Sequence, residues 1–161
     1  MKITLKLFLL LITVFATSMS ANIQSIDLNK TIDAAIKQNK NVAVFFYMDN
    51  CGYCKRMKNT TFQDETVKKM IKKDFILIAI NISQNKNSIL FNDKSYSNHQ
   101  FAKKLDVTFY PTVLFFDKNA SVIYKVRGYR NSEKFQEILK FIQSNSYEWM
   151  DFFDFEKKNK E

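Results

Sequence analysis

Val42-Ala43-Val44-Phe45-Phe46-Tyr47, followed four residues later by Cys51-Gly52-Tyr53-Cys54, is the stretch on which the reading of this chain turns. The two cysteines are the only ones among 161 residues. The run from Val42 is continuously apolar and too short for a helix, so it predicts a strand buried on both faces. From Lys55 onward the pattern is helical. If Cys51 opens that helix, Cys54 lies one turn later on the same face, with β-carbons about 5–6 Å apart. That separation lets the pair close a disulfide with modest adjustment. A pair that closes and opens takes up or gives two electrons, and this is the chemistry the spacing favours.

Other uses of the two thiols carry less weight. A cross-link over so short a loop gains little from the entropy that makes long-loop disulfides stabilising, so a structural staple has a weak rationale. Structural zinc takes four Cys or His ligands, and His99 is the only histidine. Haem attachment needs a histidine directly after the second cysteine, where Lys55 stands. No metal and no other cofactor is expected. His99 lies far from the dithiol in sequence, and no role is assigned to it.

The first 20 residues read as a secretory signal. Lys2 and Lys6 give positive charge, Leu7 to Phe15 is apolar apart from Thr13, and Ser18 and Ser20 place small side chains at positions −3 and −1 of a cut after Ser20. The apolar run falls short of the roughly 20 residues that a membrane span takes. Left uncleaved, it would instead act as an anchor. Export, here to the periplasm, puts the cysteines where disulfides persist. Residues 21–146 then form one domain, and 147–161 form an aromatic and charged extension.

The full chain carries 25 basic against 16 acidic side chains, a net charge of +9. The lysines are scattered in pairs such as Lys68-Lys69, Lys72-Lys73 and Lys103-Lys104, each flanked by apolar residues, as on the solvated faces of helices. No basic stripe interleaved with aromatics is present, which argues against nucleic acid as a partner.

Along the chain, Asn29 to Asn39 predicts a helix with Leu28, Ile32, Ala35 and Ile36 on one face. Asp64 caps a further helical turn, and Phe75 to Ile82 is a second buried strand. Ser83 to Asn98 is polar and reads as a loop or loose insertion; its length is large for a compact domain, so it either carries function or contains structure that its composition does not reveal. A short helix over Asn98 to Leu105 follows. Thr112 to Phe116 and Val122 to Val126 are two strands joined by a turn at Asp117-Lys118-Asn119-Ala120. Asn131-Ser132 opens a helix with Phe135, Ile138, Leu139 and Ile142 on its apolar face. The order predicts an α/β domain whose first strand pair is parallel and whose second is antiparallel. In the tail, Tyr147, Trp149, Met150, Phe152, Phe153 and Phe155 predict an amphipathic segment packed on the domain, with a partner-docking patch as the alternative.

With these features in order, the chain resembles the thioredoxin superfamily from about Leu28 to Ser144. The resemblance rests on the strand before Cys51-Gly52-Tyr53-Cys54, the only proline in Phe109-Tyr110-Pro111-Thr112, the hairpin after it and Gly128 at its end. It is strongest to the exported thioredoxin-related proteins of bacteria, including the SoxW-like group, and the Gly-Tyr dipeptide also occurs in disulfide isomerases of the DsbC type. The resemblance implies a thioredoxin fold, a central mixed sheet flanked by helices. It also implies a cis Pro111 facing the dithiol, and a substrate-binding set of Gly52, Tyr53, Tyr110, Pro111 and Thr112 around the catalytic pair Cys51 and Cys54. Three departures stand out. The position six residues before the first cysteine, a buried acid in thioredoxins proper, is Phe45. The residue before that cysteine is Asn50 rather than tryptophan, and the dipeptide is Gly-Tyr rather than Gly-Pro.

The mechanism expected is thiol–disulfide exchange. Cys51, in the first helical turn with Asp49 or Asn50 as cap, is the attacking thiolate, and Cys54 is the resolving thiol. The expected partners are disulfide-containing periplasmic proteins, which the protein reduces, and a membrane-bound thiol donor that restores it. A monomer is expected. The alternatives are an isomerase or oxidase, and a non-enzymatic binding module on the same scaffold with a permanent disulfide. Too few residues lie between the signal and Asn41 to supply the dimerisation domain that such isomerases carry.

Overall fold

The computed structural model describes residues 25–84 and 88–159; the proposed signal segment lies outside them. The described elements run β1 (Ser25–Asp27), α1 (Leu28–Lys37), β2 (Asn41–Tyr47), α2 (Gly52–Asn59), a 3-10 turn (Thr61–Gln63), α3 (Glu65–Asp74), β3 (Phe75–Asn81), β4 (Ser88–Phe91), β5 (Lys94–Ser97), α4 (Asn98–Lys104), β6 (Thr112–Phe116), β7 (Val122–Arg127), α5 (Ser132–Gln143), a second 3-10 turn (Ser146–Glu148) and α6 (Phe152–Lys158).

The main sheet has the order β3-β2-β6-β7. β2 pairs parallel with β3 and antiparallel with β6, and β6 pairs antiparallel with β7. The apolar run from Val42 is therefore the inner strand that its composition predicts, with helices over both faces. Because side chains alternate along a strand, Val42, Val44 and Phe46 join Leu114 and Phe116 in one core layer. α1 covers this layer with Leu28, Ile32 and Ala35, and α4 covers it with Phe101. Ala43 and Phe45 join Val113 and Phe115 in the other layer, beneath Met57 of α2, Val67 of α3 and Phe135, Ile138, Leu139 and Ile142 of α5. Each fully buried aliphatic or phenylalanine side chain contributes about 1.5–3 kcal/mol of transfer free energy, so this two-sided strand anchors the domain.

Sequence reasoning misread Ser83 to Asn98. Instead of a loop, the described part of this segment folds into the hairpin β4–β5, and β4 also pairs parallel with β1 to make a second, three-stranded sheet. Two features hold it. Ile89 and Phe91 alternate inward to the α1 core layer while Leu90 faces out. Asn92 and Asp93 both take positive φ, 50° and 60°, as a two-residue hairpin turn requires, and Asn is tolerant of that region. The Asn29 amide receives the Asn92 N–H at 2.8 Å and returns a bond to Asn92 Oδ1 at 3.1 Å, fixing the turn to α1.

The tail packs on the domain. Phe152 and Phe155 lie 5.4 and 5.2 Å, centroid to centroid, from Phe141 of α5, and Phe152 also meets Tyr124 of β7. Lys134 of α5 bonds Glu156 of α6 across the same contact. No described helix is long and apolar enough to cross a membrane.

Candidate active site

β2 ends at Tyr47 and delivers the chain to the dithiol just beyond the C-terminal end of this inner strand. Cys51 and Cys54 form a disulfide with Cα atoms 5.2 Å apart. The cap of α2 is neither Asp49 nor Asn50, as the sequence suggested, but Cys51 itself. Its backbone is extended, and its Sγ accepts the Cys54 N–H at 3.1 Å, the bond that a serine or asparagine cap would make. Asp49 is otherwise engaged: its Oδ1 accepts from the Asn81 amide at 2.7 Å and its N–H donates to Ser83 Oγ at 3.2 Å.

The two sulfurs are unequal. Cys51 is half-buried at the helix mouth, while Cys54 is only 1% exposed and shares the inward face of α2 with Met57. The sheet face beneath is aromatic. Phe45 stacks on Tyr47 at 5.4 Å and meets Phe62 edge-on at 4.9 Å, and Phe62 meets Phe135 in turn. The position where thioredoxins proper carry an acid is thus filled by a buried ring.

The second part of the site comes from the head of β6. Thr112 pairs with Phe46 near the end of β2, which brings Pro111 to the same end of the sheet as the dithiol. The Tyr110–Pro111 peptide bond is cis. Tyr110 is partly buried, donates its hydroxyl to Val107 O at 3.3 Å, and has its phenol pKa raised by burial. Thr112 is fully buried and its hydroxyl donates to Phe109 O at 2.8 Å, so this side chain shapes the loop rather than facing solvent. Gly128 at the end of β7 takes φ of +82°, open to glycine at no steric cost, and donates to Pro111 O at 2.7 Å. Gly52 and Tyr53 are exposed on the first turn of α2. His99 sits exposed on α4. Among the described residues, no three His, Cys, Asp or Glu side chains converge as a metal site would need.

Sequence reading missed Tyr129 and did not see what Arg56 does there. Directly after Gly128, the Tyr129 ring lies 6.2 Å from that of Tyr53, and the Arg56 guanidinium sits over it at 4.6 Å. Hydrogen bonding from Thr60, helped by the Arg56 charge, lowers the Tyr129 pKa. The clue in the sequence was an aromatic residue just beyond the glycine that closes the hairpin. Its pairing with Tyr53 is set by tertiary structure.

A four-stranded mixed sheet with helices on both faces, a CXXC pair capping the helix after an inner strand, and a proline loop beside it define a thioredoxin-type domain. The chain belongs to the thioredoxin-like domain family, which matches residues 28–143. It is 30% identical over 127 residues to the thiol:disulfide interchange protein DsbD of Photorhabdus laumondii, a match covering 76% of this chain and 20% of that protein. The chain thus spans about a fifth of that curated relative. A thioredoxin-fold protein from Helicobacter pylori superposes with a TM-score of 0.64 at 29% identity, covering 76% of this chain and 81% of that one. The oxidised C-terminal domain of DsbD from Neisseria meningitidis shares the fold, with a TM-score of 0.51 at 20% identity over 73% of this chain and 92% of that domain.

Proposed function

We propose that the protein is an exported thiol–disulfide oxidoreductase in which Cys51 and Cys54 are the catalytic pair, reducing disulfides in particular partner proteins of the periplasm. Within the family it stands with the exported thioredoxin-related proteins of bacteria, including the SoxW-like group. The observation that carries this reading is the asymmetry of the pair: Cys51 caps a helix at the surface and Cys54 is buried one turn deeper. The match to a thiol:disulfide interchange protein and the signal-like pattern of residues 1–20 support it.

In the reduced protein, the Cys54 N–H and the positive end of the α2 dipole favour the Cys51 thiolate over the thiol. The thiolate attacks one sulfur of a partner disulfide. A Cys51–partner S–S bond forms as the partner's own S–S bond breaks, and the departing sulfur leaves as thiolate and is protonated by solvent. Cys54 then gives up its proton and attacks Cys51 Sγ. The internal disulfide closes, and the second partner sulfur is released as thiolate. The partner gains two electrons and the pair loses two; a membrane-bound thiol donor restores it by the reverse exchange. Backbone groups of Tyr110, beside Pro111, hold an extended partner segment, while Gly52 and Tyr53 border it and Thr112 fixes the carbonyl of Phe109.

The test is the reduction potential of the pair together with insulin-reduction turnover. A potential of about −200 mV or below, toward the roughly −270 mV of thioredoxin, supports a reductase; one near −120 mV points to an oxidant or, with shuffling activity, an isomerase. Absence of turnover, with partner binding retained in Cys51→Ser, would instead support a binding module. In Cys54→Ser the mixed disulfide should persist on a non-reducing gel, whereas Cys51→Ser should trap nothing.

A further inference from the structure

The exposed side of α2 is unusual in charge. The helix carries Lys55, Arg56 and Lys58 and no acid. Among the described residues, none of the three is ion-paired with a carboxylate. Instead, two of them are held over aromatic faces: Arg56 over Tyr129 at 4.6 Å and Lys58 over Tyr47 at 4.4 Å. The ring of Tyr129 itself lies against Tyr53 on the first turn of α2, 6.2 Å between centroids. An arginine seated on a ring keeps its fork of N–H donors turned outward and loses less rotamer freedom when a carboxylate arrives.

The nearby acids do not outweigh this field. Asp106, on the β6 side, is matched by Lys125 at 3.5 Å and Arg127 at 3.8 Å, while Asp49, whose carboxylate takes only the neutral Asn81 amide, keeps its single charge against the three cations of α2. Apolar anchors complete the rim. Tyr53 is 63% exposed on α2, and Phe109 is 64% exposed just before the Tyr110–Pro111 bond.

We propose that Tyr53, Lys55, Arg56 and Tyr129, with Phe109 at the head of the neighbouring strand, form a recognition surface for an acidic, extended protein segment carrying the target disulfide. The proposal rests on the oxidoreductase reading and names the substrate class for that site. Tyr129 is a positioning residue: it acts by holding Arg56 in place.

The test compares two peptides of one sequence whose single cysteine is flanked by glutamates in one and lysines in the other. Each cysteine is joined as a mixed disulfide to a chromophoric thiol. Attack by reduced Cys51 on the peptide sulfur forms the Cys51–peptide disulfide and expels the chromophore as its thiolate, which is followed by stopped flow on the full chain. Both rates are divided by the rate with bis(2-hydroxyethyl) disulfide, which is neutral, so that any change in Cys51 reactivity drops out.

The acidic peptide is expected to react about three- to thirtyfold faster at low salt, with the ratio collapsing as ionic strength rises. Lys55→Glu/Arg56→Glu should lower or invert the ratio, and Tyr129→Leu should reduce it. A ratio near one at low salt, or one that the double charge reversal leaves unchanged, overturns the proposal; the first outcome is read on the unaltered chain, and the second separates this surface from the overall charge of +9. If even the neutral disulfide fails to react, the oxidoreductase reading itself falls and takes the proposal with it. Reaction with the neutral disulfide alongside equal peptide rates sinks only the recognition surface.

Discussion

Cys51 holds two posts at once, since the sulfur proposed to attack is also the acceptor that finishes the first turn of α2. Serine caps helices well, so Cys51→Ser should remove exchange while leaving stability within about 1 kcal/mol of the parent, measured by denaturant unfolding of the reduced proteins. The neighbouring Tyr129 offers an independent check of the rim geometry. Its phenol is held below the ordinary tyrosine range first by hydrogen bonding from Thr60 and then by the Arg56 charge. An ultraviolet or NMR titration should therefore find one tyrosine ionising early. Thr60→Val should move that tyrosine back up, and Arg56→Gln should do so by less; no response to either would break the assigned contacts.

At the scale of elements, caps set where helices begin. Asp64 Oδ1 accepts the Val67 N–H at 2.9 Å at the start of α3 and also receives the Gln136 amide of α5 at 3.2 Å. Asp64→Ala should cost about 0.5–2 kcal/mol in denaturant unfolding, the range for losing a cap. Asp27 caps α1, and the Lys30 N–H lowers its pKa. A carboxylate whose folded pKa lies below its unfolded value near 3.9 stabilises the fold above that pH and stops doing so as acid protonates it. The stability gap between the parent and Asp27→Ala should thus be steady near neutrality and narrow as pH falls below about 4.

These elements also show what the sequence made legible. β2 and the dithiol were readable because a doubly buried strand is one unbroken apolar run and the motif follows it directly. The hairpin of β4 and β5 was not, because its four-residue strands turn just Ile89, Phe91 and Tyr96 inward amid Asn, Ser and Lys. Its sole local mark was the Asn92-Asp93 turn. The cap was misassigned because Asp49 is the stronger capping residue by type, and only tertiary structure reveals that Asn81 claims it.

At the scale of the whole molecule, a polar thread joins the head of α4, directly after the added hairpin, to the dithiol loop. The buried Asn98 amide at the start of α4 donates to Asn81 O and Gln84 O, and Asn81 in turn donates to Asp49 beside the cysteines. The helix that follows the inserted hairpin, the end of β3 and the dithiol loop are therefore linked by side-chain hydrogen bonds. On the other face, the ring of Phe45 fills the place where related proteins keep an acid, and this bears on time. Cys54, the thiol proposed to resolve the mixed disulfide, is 1% exposed, and apolar burial disfavours the thiolate it must form before it strikes. The covalent handshake with a client should then be a dwell, not a glance. Acid-quenched single turnovers of the unaltered protein should show that linked species accumulating below neutral pH and clearing faster as the pH rises. A lifetime indifferent to pH would mean that some other group relieves Cys54 of its proton.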